Sequence, residues 1–126
     1  IIAAVLGTLL ANYIFGLNVI EISSNIRSGA NIYISEFFAA TGLLLVILLS
    51  RADGKNVVSF NVGIYITAAL IFTSSTSFAN PAVTIARMFT ESFTGINPST
   101  VIFFISCQVI GMFAAYILYN QFFKSK

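Results

Sequence analysis

Few side chains in this sequence can do chemistry. There is no histidine, and cysteine occurs once, as Cys107. A Cys/His metal site and a disulfide within the chain are thereby excluded. The four carboxylates supply no pair at helical spacing inside an apolar run, so general acid–base work has no second partner. Cys107 falls in the small-residue series Cys107-Gly111-Ala115 and reads as a packing residue. No catalytic residue, metal or cofactor is expected, and the chain does not read as an enzyme.

Two features remain. Glu36 stands inside a long apolar run, where an ionisable group is costly and turns toward a protein partner. Two roles are open to it, a proton-coupling carboxylate that would make the protein a secondary transporter, or a structural buried acid. The second feature is Asn80-Pro81-Ala82, which follows the hydroxyl-rich stretch Thr73-Ser74-Ser75-Thr76-Ser77. Asparagine suits a helix N-cap because its side-chain oxygen accepts an orphan backbone N–H, and proline suits the first helical position, where its missing N–H is not needed. The spacing predicts a helix from Pro81 to about Ser92, only about 18 Å long, which is half a membrane.

The elements that must position these residues are apolar. With 58% hydrophobic residues, 8% charged residues and a mean hydropathy of +0.96, the chain has too little polar surface to coat a soluble globule of this length. A formal charge of +2 gives no reason to expect nucleic acid as a partner. The lipid bilayer is the expected solvent. Four apolar runs, 1–17, 30–50, 57–72 and 100–123, fit four crossings at about 20 residues each. A polar stretch over 18–29 follows the first run, and the tight polar turn Arg51-Ala52-Asp53-Gly54-Lys55 separates the second from the third. The chain opens on Ile1 within a helical pattern, which reads as a truncated end.

Charge placement decides how the segment around Asn80 lies. Arg51 and Lys55 follow one run, Lys124 and Lys126 another, and the positive-inside rule sets both clusters in the cytoplasm. That requires the segment over 73–95 to be re-entrant, entering from the outer side and climbing back as a half-helix. Irregular backbone at such depth is tolerated where it is buried in protein or lines a wet cavity. Aligning Gly7 with Gly111 also matches Val5 with Val109 and Ala11 with Ala115, so that Ala3-Gly7-Ala11 echoes Cys107-Gly111-Ala115. The echo suggests a duplicated unit whose first copy keeps only its last helix here.

At Asn80-Pro81-Ala82, within Ser77-Phe78-Ala79-Asn80-Pro81-Ala82-Val83-Thr84, the chain resembles the second Asn-Pro-Ala box of the aquaporin, or major intrinsic protein, family. The resemblance covers essentially the whole chain, and the longer run is similar to bacterial-type members. It implies an all-α integral membrane fold, an aquaporin-like right-handed helix bundle with a re-entrant half-helix, here truncated to the last four spanning helices. The same resemblance implies a homotetramer with one pore per subunit, and a missing N-terminal half carrying the first box. To Glu36 it assigns the structural role, a buried acceptor that ties down backbone N–H groups of the re-entrant loop.

Carried over residue by residue, the selectivity filter falls on Ala68, Ser77 and Val83. Many relatives have arginine where Val83 stands, and Thr84 replaces the aspartate common in glycerol facilitators. The outer ring is therefore small and uncharged on this half. Arg87, one helical turn beyond Val83, either restores a positive charge at the outer vestibule or reaches lipid headgroups or Glu91. The expected function is a passive channel for water and small neutral solutes such as glycerol or undissociated metalloid acids. In it Asn80 is the central donor, and the positive end of the half-helix opposes cations. The expected location is the cell membrane, multi-pass, with a cytoplasmic C-terminus.

Overall fold

Five α-helices make up the described part of the chain, residues 1–52 and 57–124 of a computed structural model. They are α1 (Ile2–Ile14), α2 (Ala30–Ala52), α3 (Val58–Phe72), α4 (Pro81–Ala86) and α5 (Pro98–Phe122), with a 3₁₀ turn at Arg87–Phe89 directly after α4. The turn expected over 51–55 lies mostly outside the described residues, as does Lys126. At 23 and 25 residues, α2 and α5 are long and apolar enough to cross a membrane. The other two apolar runs form shorter helices, α1 with 13 residues and α3 with 15.

The end of α1 shows why the first run stops early. Gly16 adopts a left-handed φ of 69°, its N–H donates to the Tyr13 carbonyl, and the Leu17 N–H donates to the Asn12 carbonyl. This paired bonding satisfies the last orphan carbonyls and closes the helix, with glycine at the one position that needs positive φ. The start of α5 likewise lies two residues before the expected 100. Asn97 caps it by accepting from the Ser99 N–H at 3.0 Å, and Pro98 takes the first helical position.

The main packing contact joins α2 to α5. A Cβ built on Gly111 would lie 2.5 Å from the Phe37 carbonyl oxygen, so the two backbones approach as only glycine permits. The Thr41 hydroxyl donates to the carbonyls of both Phe37 and Gly111, at 2.7 and 3.1 Å, and so pins the crossing. Ala40 and Ala115 are fully buried. Against the other side of α2 lies α3, where Tyr65 donates to the Ala39 carbonyl at 2.9 Å and Asn61 donates to the Ser50 hydroxyl at 2.8 Å. Large apolar side chains cover the outside, among them Leu6 and Leu10 on α1, Phe60 and Ile71 on α3, and Phe113 on α5. Helices clothed this way suit a lipid solvent.

Candidate functional site

Between α3 and α4 the chain leaves regular structure while staying buried. Thr76, Ser77 and Ala79 hold φ of 61°, 44° and 48°. Each such residue costs about 1–3 kcal/mol and persists only where its surroundings over-determine it. The surroundings here are explicit. Glu36, fully buried on α2, accepts from the Phe78 N–H at 3.3 Å and the Ala79 N–H at 2.5 Å. Ser35 accepts from the Ser75 N–H at 3.3 Å. No backbone donor among the described residues reaches the carbonyls of Thr76, Ser77, Phe78 or Ala79.

The segment then enters α4. Asn80 is extended, with φ −154° and ψ 121°, its Oδ1 accepts from the Ala82 N–H at 2.9 Å, and Pro81 follows at the first helical position. Its carbonyl accepts from both the N–H and the hydroxyl of Thr84, each at 3.0 Å. The side-chain amide of the fully buried Gln108 donates to the Thr84 hydroxyl and to Glu36, each at 2.7 Å. A buried polar chain from α2 through α5 thus holds the turn from beneath, while Asn80 itself is exposed and its Nδ2 makes no hydrogen bond with the described residues. Asn80 and Pro81 border a cavity of about 220 Å³ with Ala40, Leu43, Ala79 and Met112.

The half-helix is shorter than the expected stretch to Ser92. Three donors from elsewhere claim its last carbonyls: Ile96 N–H bonds to Arg87, Ser23 N–H to Met88 at 2.9 Å, and Asn12 Nδ2 to Phe89 at 2.8 Å. The α-helical ladder gives way to a 3₁₀ turn and ends at Phe89. A consequence is that Arg87 and Glu91 share no helical face. Glu91 instead accepts from the backbone N–H of Ser24 at 2.6 Å and from the Ser24 hydroxyl. These two donors, the hydroxyl first, hold the Glu91 carboxyl below the usual carboxylate range.

Arg87 stacks on Phe78, 4.2 Å from the ring centroid, with its Nη1 buried and without a hydrogen-bond partner. Arg27 sits 5.1 Å from the same ring and bonds through all three of its nitrogens. It donates to the carbonyls of Gly95 at 2.8 Å, Ser75 at 3.3 Å and Phe93 at 2.6 Å. The 18–29 stretch, expected only as a polar connection, is therefore a strap bonded along the re-entrant segment. Arg27 and Gln108 were not legible as site residues in the sequence. An arginine in a loop and a glutamine in an apolar helix signal nothing until their partners are known.

The three expected filter positions have different surroundings within this half of the channel. Ala68 is exposed on α3 and borders a cavity of about 590 Å³ with Gly63, Ile64, Thr67 and Ile71, which contains neither Ser77 nor Val83. Ser77 is buried, its hydroxyl without a partner. Val83 is half-buried and packs against the cluster of Phe78, Ile96, Val101 and Phe104. Cys107 is half-buried and free.

Comparison with known proteins agrees with the residue pattern. The chain is 43% identical over 115 residues to an aquaglyceroporin, AqpS, of Rhizobium meliloti (strain 1021). The match covers 91% of this chain and 49% of that protein, so the chain spans about half the length of the curated relative it matches. No protein-family model matches the chain, and no solved structure does.

Proposed function

The chain belongs to the aquaporin, or major intrinsic protein, family, and from that premise we propose that it forms the second half of a passive transmembrane channel for water and small neutral solutes. The observation that carries this reading is the Asn80 turn. Four successive carbonyls, Thr76 to Ala79, lack a backbone donor and lead to an exposed Asn80 whose amide nitrogen is unspent. A solute that both donates and accepts hydrogen bonds can exchange its water for these groups. A bare cation loses more hydration than one short row of carbonyls returns. Because α4 has only 6 residues, the aligned helix dipole contributes less to cation exclusion than a half-helix to Ser92 would.

The competing carrier reading needs a titrating Glu36. Its carboxylate is committed to two backbone N–H groups and Gln108, which supports a structural role. In this proposal Ala68, Ser77 and Val83 line the outer filter once a first half with its own Asn-Pro-Ala box completes the pore. Subunits assemble as tetramers in the cell membrane, with Lys124 on the cytoplasmic side. Glycerol and undissociated metalloid acids such as arsenous acid are the proposed solutes besides water.

The test is solute uptake into vesicles holding the complete protein, with and without a pH gradient. Glycerol should equilibrate at the same rate in both and never accumulate. Accumulation driven by the gradient would establish a carrier. Substituting Val83→Arg should then cut glycerol flux about tenfold or more while water flux falls less, because a guanidinium fills the opening with fixed donors. A well-assembled variant as permeable to glycerol as the parent removes Val83 from the filter.

A further inference from the structure

We propose that Gln108 is a positioning residue of the channel, one that meets no solute itself but holds Asn80 at the depth and angle where its amide does. The inference rests on the channel reading and deepens it. Gln108 on α5, Glu36 on α2 and Thr84 on α4 are each fully buried. Gln108 does not border the cavity beside Asn80 and Pro81, so any influence on a solute passes through its partners.

A side-chain amide nitrogen carries two hydrogens, and here both are engaged, one by Glu36 Oε1 and one by Thr84 Oγ1, each at 2.7 Å. These two partners grip the chain on either side of Asn80. Before it, Glu36 accepts from the N–H groups of Phe78 and Ala79. After it, the Thr84 hydroxyl accepts from Gln108, which directs its own single proton to the Asn80 carbonyl at 3.0 Å. Left-handed Ala79 is followed at once by extended Asn80, a bend that persists only where the surroundings over-determine it. One amide thus fixes both ends of the bend. A group that meets solute has to be held within about 0.5 Å of its working place, and the partners behind it do the holding.

Packing alone does not call for a glutamine here. Gln108 Oε1 is buried with no hydrogen-bond partner among the described residues, a costly state for a polar atom. The reverse orientation would set that oxygen against the Glu36 carboxylate, so the amide keeps the orientation that serves Glu36 and Thr84 and leaves the oxygen orphaned. Close approach of helices does not require the residue either. Ala4 stands three residues before Gly7 on α1, as Gln108 does before Gly111 on α5. An apolar side chain at Gln108 would leave no orphan oxygen, but it would release Thr84 and one side of Glu36.

Water and glycerol are the probes. The complete protein is reconstituted in vesicles, and both fluxes are measured per assembled protein for the parent, Gln108→Met, Thr84→Val and Thr84→Ser. Gln108→Met keeps the length of the side chain and loses both donors. It should cut glycerol flux about tenfold, as one misplaced hydrogen bond to the solute would. Water flux should fall less, because a water molecule reorients to follow a displaced donor while the oxygens of glycerol keep their spacing. Thr84→Val keeps the shape and loses only the hydroxyl, so it should lower the glycerol-to-water ratio in the same direction. Thr84→Ser keeps the hydroxyl and should match the parent. An assembled Gln108→Met with the parental ratio overturns the proposal and leaves the channel reading standing, as does one in which both fluxes fall by the same factor. If Gln108→Met fails to assemble, Thr84→Val against Thr84→Ser carries the test, and equal ratios in the two overturn the proposal. A parent protein that passes neither water nor glycerol overturns the channel reading, and the positioning role with it.

Discussion

The stripes Ala3-Gly7-Ala11 and Cys107-Gly111-Ala115 have the same spacing on two apolar helices, yet they live in different surroundings. On α5 the stripe is packed. Gly111 lies against the Phe37 carbonyl, Ala115 is fully buried, and Thr41 bonds across the crossing at 3.1 Å. On α1 all three residues are exposed, and a Cβ built on Gly7 would have nothing within 4 Å. Where α1 does engage, it is on another face, which meets α4 and the 3₁₀ turn: Ala4, Val5, Thr8 and Leu9 are half-buried there and Asn12 donates to the Phe89 carbonyl at 2.8 Å. The contrast shows that small-residue spacing records a capacity for close approach, while the gain in energy comes from the partner. In lipid no hydrophobic force substitutes for that partner, because the tails are as apolar as the helix.

The largest effect tests the packed stripe. Gly111→Leu forces side-chain atoms into the Phe37 backbone, which cannot yield as a flexible side chain does. It should cost about 3 kcal/mol or more, read as lost assembly in a detergent unfolding assay. Gly7→Leu sharpens the comparison. In the complete protein it should cost a similar amount if a first half supplies a helix to α1 as α2 does to α5. If α1 faces lipid there, the cost should be within about 0.5 kcal/mol, and the duplicated-unit reading fails.

What was legible in the sequence follows the same division between local and tertiary causes. Asn80-Pro81 announced a helix start because capping and the missing proline N–H act within a few residues. The same logic applies at Asn97-Pro98, where the apolar pattern drew the expected start to 100 instead. The end of the half-helix was not legible, because it is set by Ser23, Asn12 and Ile96, two of them more than 60 residues away in sequence. Glu36 was legible as an anomaly, since a charge within an apolar run demands a partner. Gln108 and Arg27 were not, for their meaning lies wholly in what they touch.

A middle-sized effect separates the two regions by polarity. The α2–α5 contact near Glu36 combines close packing with a buried charged acceptor, whereas the buried polar group on α1 is the neutral donor Asn12, bonded to the Val19 and Phe89 carbonyls. Glu36→Gln keeps the shape but replaces one accepting oxygen with a donor, so at least one of the Phe78 and Ala79 N–H groups loses its partner. The expected cost is about 1–3 kcal/mol, together with reduced solute flux as the left-handed residues relax. Flux that survives unchanged in a stable Glu36→Gln protein, with its pH response abolished, would restore the proton-coupled reading.

The smallest effect concerns the strap that α1 leads into. Glu91 is exposed, and its carboxyl lies below the usual carboxylate range because the hydroxyl and then the backbone N–H of Ser24 donate to it. A carboxyl whose folded value is depressed contributes stability that is full above its unfolded value and fades as pH falls through the folded one. The strap should therefore be held firmly at neutral pH and loosen only below the ordinary carboxylate range, while the buried α2–α5 crossing stays intact. Amide exchange checks this directly, since the Ser24 N–H should lose protection as the pH is lowered below that range and the α5 amides should not. Glu91→Gln should remove the pH dependence at Ser24 and leave its protection near the low-pH level throughout. Equal loss of protection in the strap and in α5 would mean that acid acts on the whole fold, and Glu91 would then be one carboxylate among several rather than the latch of this segment.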